Sequence, residues 1–149
     1  MDALFSSTRK LVEATLTKLG IDAETARVKD DPEQASWTLV RGSAAVVVSV
    51  TARPEQNAVF LRVAAPVIAL PASGHEALFR HLLELNTAGL ANAAFGLMGD
   101  RVVAVSERPA GGLDQSEVEQ MIRHLSAVAD TYDDRLVQAF GGQRASDRA

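Results

Sequence analysis

Apolar residues Leu4, Phe5, Leu11, Val12, Leu16 and Leu19 recur at helical spacing with Thr, Lys and Glu between them, predicting a helix over residues 3–19. Gly20 stops it, because glycine tolerates the left-handed conformation found just beyond helix ends. The period then falls to two. "SWTLVR" sets Trp37, Leu39 and Arg41 against Ser36, Thr38 and Val40. "AAVVVSVTA" puts Val46, Val48 and Val50 on one face, and "NAVFLRVAA" does the same with Val59, Leu61 and Val63. The joints "RGSA" and "ARPEQN" carry turn residues and are short enough for antiparallel hairpins. One face of these three strands is apolar and the other mixed, the pattern of a sheet covered mainly on one side.

A proline-bounded loop, "PVIALPA", leads into a second helix, where Ser73 and Glu76 have the spacing of a capping box. Leu78, Phe79, Leu82, Leu83 and Leu85 form a stripe wide enough to be buried between two surfaces. Residues 92–98 and 101–107 read as two strands joined by Gly99-Asp100. That turn pairs Met98 with Arg101, Leu97 with Val102, Phe95 with Ala104 and Ala94 with Val105, and leaves both faces of the hairpin apolar. A third helix begins at Asp114, with Glu117 placed to bond back, and runs on an apolar face from Val118 to Phe140. Gly141-Gly142 ends it, and residues 141–149 read as a flexible tail.

The order is helix, three strands, helix, two strands, helix. It predicts an α+β fold, α-β-β-β-α-β-β-α, with a five-stranded antiparallel sheet flanked by helices. A chain of 149 residues suits one domain, expected over 1–140, since soluble domains run to roughly 100–200 residues. The absence of Cys excludes disulfides, thiolate metal sites and cysteine nucleophiles. The first twenty residues lack the basic segment and continuous apolar run of a signal peptide. No stretch approaches the ~20 apolar residues of a membrane span. A net charge of −4 argues against nucleic acid, which requires a basic face. The expectation is a soluble, bacterial-type cytoplasmic protein.

Catalytic chemistry is sparse. The glycines of "AAFGLMGDRVVAVSERPAGGLDQSE" match neither a P-loop nor a dinucleotide fingerprint, and Asp114 and Glu117 at the helix start repel an anion. His75 and His81 in "HEALFRH" lie roughly 240° apart around a helix, so they cannot clamp one metal. His124 reads as a surface or rim residue, and no G-x-S-x-G elbow is present. Asp130, Asp133 and Asp134 read as a solvated acidic face, and "KDDPE" as a turn without calcium-loop spacing. Trp37 and Tyr132 are too isolated to form a nucleic-acid stacking platform. No enzyme activity, metal or cofactor is expected. An enzyme using carboxylates or His124 is the least favoured of the alternatives.

The element order and size resemble the type III secretion chaperone-like fold, and in particular the YbjN-like family grouped with the CesT/Tir chaperones. The resemblance is sharpest where a "LLELN" helix end precedes the "AAFGL…GDRVVAVSE" hairpin and the "GLD" helix start. It implies a homodimer with apolar grooves that hold extended peptide segments. The family also contains proteins described as regulators of sensory transduction. The function expected is a non-enzymatic, chaperone-like domain holding a peptide segment of a partner protein. The alternative is a regulatory or structural dimeric adaptor without a client.

The two-faced hairpin and second helix nominate Leu83, Ala94, Met98, Val103 and Val105 for a dimer interface, since monomers rarely expose contiguous apolar patches. Phe5, Val12 and Trp37 are nominated for peptide binding, with strand addition at a sheet edge near Trp37. The competing expectation is that Trp37 packs under the first helix as core.

Overall fold

The structure, a computed structural model, describes residues 1–147; Arg148 and Ala149, the end of the expected tail, lie outside the described residues. The elements are α1 (Asp2–Lys18), α2 (Ala23–Ala26), β1 (Arg27–Asp30), β2 (Gln34–Arg41), β3 (Ala44–Arg53), β4 (Ala58–Ala69), α3 (His75–Ala88), β5 (Ala94–Met98), β6 (Arg101–Pro109), α4 (Gln115–Phe140) and β7 (Gln143–Arg144). Short 3-10 turns follow β3 (Pro54–Gln56) and β7 (Ala145–Asp147). Among the described residues the strands form one seven-stranded sheet in the order β1-β2-β3-β4-β6-β5, with β7 pairing β4.

The α+β class holds, while the expected five strands become seven and a short helix, α2, intervenes before the first strand. Both added strands lack an apolar alternation. β1, "RVKD", is held by pairing with β2 and by ion pairs to α1. β7 lies within the expected tail, yet pairs antiparallel with β4 at Ile68↔Arg144 and Ala69↔Gln143. β4 also runs through Pro66 to Ala69, where a loop was expected. Burial of Val67, Ile68 and Ala69 outweighs the donor that proline lacks.

Several local expectations are met in detail. α1 closes in a Schellman arrangement: Gly20 N–H donates to Thr17 O at 3.0 Å and Ile21 N–H to Leu16 O at 2.9 Å, with Gly20 at φ +80°. At α4, Asp114 N–H donates to Glu117 Oε2 at 2.9 Å while Glu117 N–H donates to Asp114 Oδ1 at 2.8 Å, a complete capping box. The box expected at Ser73 does not form. α3 starts after Gly74, which sits at φ +78° as N-cap with no side-chain cap.

The chain divides into two compact units. The first comprises Met1–Leu39, Val47–Val63 and Glu107–Arg123; its core includes Val12, Leu16, Trp37, Val48, Val50, Leu61, Val118 and Ile122. The second comprises Val40–Val46, Ala64–Ser106 and the chain from His124 on; its core includes Val46, Ile68, Leu78, Leu82, Val102, Leu125 and Leu136. In each, the alternate positions of β2, β3 and β4 that the sequence marks as apolar are the buried ones.

Candidate functional site

The β5–β6 hairpin carries the clearest surface feature. Its register is Ala94↔Val105, Phe95↔Ala104, Gly96↔Val103, Leu97↔Val102 and Met98↔Arg101, as the turn predicts. Gly99 at φ +60° opens the two-residue turn, a geometry that favours glycine at the first position. Directly opposed residues share a face. Ala94, Gly96, Met98, Val103 and Val105 therefore lie together, and Phe95, Leu97, Val102 and Ala104 lie on the other side.

The second face meets the helices. Phe95 packs edge-on to Tyr132 of α4 at 5.3 Å between ring centroids. Asn86, near the end of α3, takes both backbone groups of Phe95: its Oδ1 accepts from Phe95 N–H at 2.8 Å and its Nδ2 donates to Phe95 O at 3.1 Å. Sequence reasoning used Asn86 only as part of a motif; an amide at a helix end just before an edge strand was the available signal.

The nominated dimer residues separate by exposure. Ala94 is exposed, Met98 is 55% exposed and Val105 half-buried, so these present apolar atoms on one hairpin face. Val103 shares that face but is only 4% exposed. Leu83 is 66% exposed on α3 beside a shallow depression lined by Arg80, Glu84 and Thr87. The wide stripe on α3 is thus only partly covered, with Leu78 and Leu82 buried.

The peptide nominees require correction. Trp37 and Val12 are fully buried, and Phe5 is nearly so. Trp37 and Val12 present no surface to a ligand in this conformation and Phe5 almost none; all three are core of the first unit. Nor is β2 an edge strand, because β1 lies outside it. What the first unit does expose is Met1 and Leu4 at the start of α1, and Val28 on β1. An ionic lattice ties these two elements together. Arg9 donates to both carboxylate oxygens of Asp30, at 2.5 and 3.0 Å, and Glu13 bridges Arg9 and Arg27, each at 3.2 Å. The Asp30 hydrogen bonds are the largest influence holding the Arg9 guanidinium protonated, above its ordinary value.

The polar groups weighed for catalysis are engaged structurally. His75 Nε2 lies 2.6 Å from Pro71 O, and His124 Nε2 lies 2.5 Å from Leu90 O. His81 stacks near Phe140 at 5.2 Å. Asp130 accepts from Ser43 Oγ at 2.5 Å. Asp133 is buried rather than solvated, and this burial pushes its carboxyl above the usual range. Among the described residues no three His, Cys, Asp or Glu side chains gather as a metal cluster, and no helix is long and apolar enough to cross a membrane.

Solved structures share this architecture. A chain of the ExsC–ExsE complex matches with a TM-score of 0.67 at 20% identity, over 91% of this chain and 97% of that one. A chain of the HopA1–SchA chaperone–effector complex gives 0.58 at 15%, covering 88% and 94%. A chain of the heterodimeric ExoU–SpcU complex, from the type III secretion system of Pseudomonas aeruginosa, gives 0.57 at 15%, covering 87% and 97%. No curated protein matches the sequence. The family profile described as "T3SS (YopN, CesT) and YbjN peptide-binding chaperone 1", TY-Chap1, matches residues 6–148, in line with the resemblance read from the helix, hairpin and cap. The chain therefore belongs to the TY-Chap1 family of T3SS and YbjN peptide-binding chaperones.

Proposed function

We propose that the chain is a non-enzymatic, chaperone-like domain that holds an extended segment of a partner protein. The observation that carries this reading is the family match over residues 6–148. The fold likeness to chains in complexes described as chaperone–effector or type III secretion assemblies supports it. In the first unit, the exposed Met1, Leu4 and Val28 beside the α1–β1 ionic lattice give apolar anchors with charged surroundings, the chemistry suited to an extended segment. Phe5, Val12 and Trp37 then act as the floor beneath this surface instead of touching the ligand. The protein works in the cytoplasm as a homodimer through the hairpin face of exposed Ala94 and Met98 with half-buried Val105, and through exposed Leu83.

The test is purification of the tagged protein from its native cell, identification of the co-purifying polypeptide, and titration of its isolated segment against the purified chain. Saturable one-to-one binding that is weakened by Leu4→Asp or Val28→Asp supports the proposal. A homodimer that binds no segment of any co-purifying protein favours the dimeric adaptor, a reading supported by the exposure of Leu83, Leu97 and Met98.

A further inference from the structure

The two ends of the sheet differ in how they avoid pairing with a further strand. β1, at one end, is four residues long, slips register between Arg27 and Lys29, and carries Arg27, Lys29 and Asp30. Shortness, a bulge and charge are the ordinary devices that blunt an edge. β5, at the other end, reads "AFGLM" and, though only one residue longer, lacks the other two: it carries no charge, no proline and no irregularity in its pairing. Leu97 and Met98 are 51% and 55% exposed on it.

The hairpin register shows where its unpaired backbone points. A two-residue turn makes Met98 and Arg101 the hydrogen-bonded pair nearest the turn, and bonded and non-bonded pairs alternate from there. The backbone groups of Phe95 and Leu97 are therefore directed away from β6, toward the side where, among the described residues, no strand lies. At Phe95, Asn86 fills that side. Its amide sets an acceptor and a donor side by side, and makes with Phe95 the two bonds that the peptide groups of a neighbouring strand would make.

We propose that Asn86 is an edge-closing residue, whose amide occupies the place of the missing strand at Phe95 and keeps β5 from pairing with the β5 of a second copy. The occupant excluded is another copy because "AFGLM" is apolar and uncharged, so two such edges meet antiparallel with no repulsion. Association through the hairpin face remains open, since it uses side chains rather than the edge. This inference goes beyond peptide binding and stands or falls separately from it.

Asn86→Ala, sedimented beside wild type over a wide concentration range, tests it. The variant is expected to form species larger than wild type whose mass grows with concentration. Adding Leu97→Pro removes the outward N–H and is expected to restore the wild-type mass. In wild-type protein, the Phe95 amide is expected to exchange hydrogen at least about tenfold more slowly than the Leu97 amide. Wild-type mass for Asn86→Ala at every concentration overturns the proposal. So does equal protection of Phe95 and Leu97 in wild type, which means that the edge is already paired or that Asn86 does not hold the Phe95 amide. The exchange comparison can overturn the proposal even where the variant does not fold.

Discussion

Ser43 Oγ donates to Asp130 Oδ1 at 2.5 Å, joining the β2–β3 turn to α4 across 87 positions of sequence. Gly42, at φ +61°, makes the approach possible: a Cβ built there would lie 2.8 Å from Asp130 Oδ2. Gly42→Ala therefore meets two penalties, the left-handed backbone at roughly 1–2 kcal/mol and the carboxylate contact. We expect Gly42→Ala to lower stability by about 1–3 kcal/mol. In the Asp130→Ala background the cost should shrink toward the backbone part alone. Urea denaturation of the four proteins of this cycle measures the difference.

Asp114 and Glu117 exchange bonds at the start of α4, so each leaves a donor unmet when the other is truncated. Asp114→Ala is expected to cost about 1 kcal/mol and Glu117→Ala less, by thermal melting. Ser73→Ala is expected to be near neutral, because Gly74 and not Ser73 caps α3.

That contrast shows what was legible in the sequence. Local rules sufficed where the chemistry is local: the Gly20 stop, the Gly99-Asp100 register and the Asp114 cap all follow from a few adjacent residues. β2, β3 and the first part of β4 were legible because their apolar faces alternate. β1 was not, because Arg27 and Asp30 are held there by Glu13 and Arg9 on α1. β7 was not, because Gln143 and Arg144 are strand only through pairing with Ala69 and Ile68. The same applies to the site. Exposed Met98 and Leu83 could be nominated from pattern, whereas the burial of Val12 and Trp37 and the role of Asn86 depend on which elements become neighbours.

Asp133 gives a pH prediction of definite sign. Burial is the main cause of its raised pKa; Asp134 and Asp130 add to it, while Arg144 and the Asp134 N–H oppose it. A carboxyl that binds its proton more tightly folded than unfolded disfavours the folded state once it is charged. Its contribution therefore worsens as pH rises from the ordinary carboxylate value through the raised one. Asp133→Asn keeps an acceptor for Asp134 N–H, which donates at 2.6 Å, and removes the charge. The variant should melt higher than wild type at pH 7, with the gap closing as pH falls below the folded value. A gap that widens in acid contradicts this.

Trp37 is fully buried, and among the described residues its indole N–H has no hydrogen-bond partner. Trp37→Ala should cost roughly 3–5 kcal/mol, as for other buried aromatic truncations. Trp37→Phe should cost less, because it removes the unmet donor together with part of the ring. As the only tryptophan, it also reports on its own surroundings. Native emission should be blue-shifted and hardly quenched by acrylamide, and it should stay so when a partner segment binds at the exposed start of α1. A partner that quenches or shifts it directly would place the ligand deeper, among the core residues.

The nominated dimer residues can be told apart by what each substitution does to the single chain. Leu83 and Met98 are already more than half exposed, so Leu83→Glu and Met98→Glu leave nothing buried that was not buried before. Each should change monomer stability by no more than about 0.5 kcal/mol. Val103 is 4% exposed, so Val103→Glu forces a carboxylate into apolar surroundings and should cost several kcal/mol, whatever the protein's association state. Its loss of dimer would thus be a folding effect and says nothing about an interface. The informative pair is Leu83→Glu and Met98→Glu, by sedimentation at matched concentrations with melting curves alongside. If the hairpin face and α3 form the homodimer, each desolvated charge should weaken it by at least about tenfold, equivalent to 1.4 kcal/mol, with the melting of the dilute monomer unchanged. Two variants that dimerise as wild type does would remove both residues from the contact and leave their exposed side chains to a different partner.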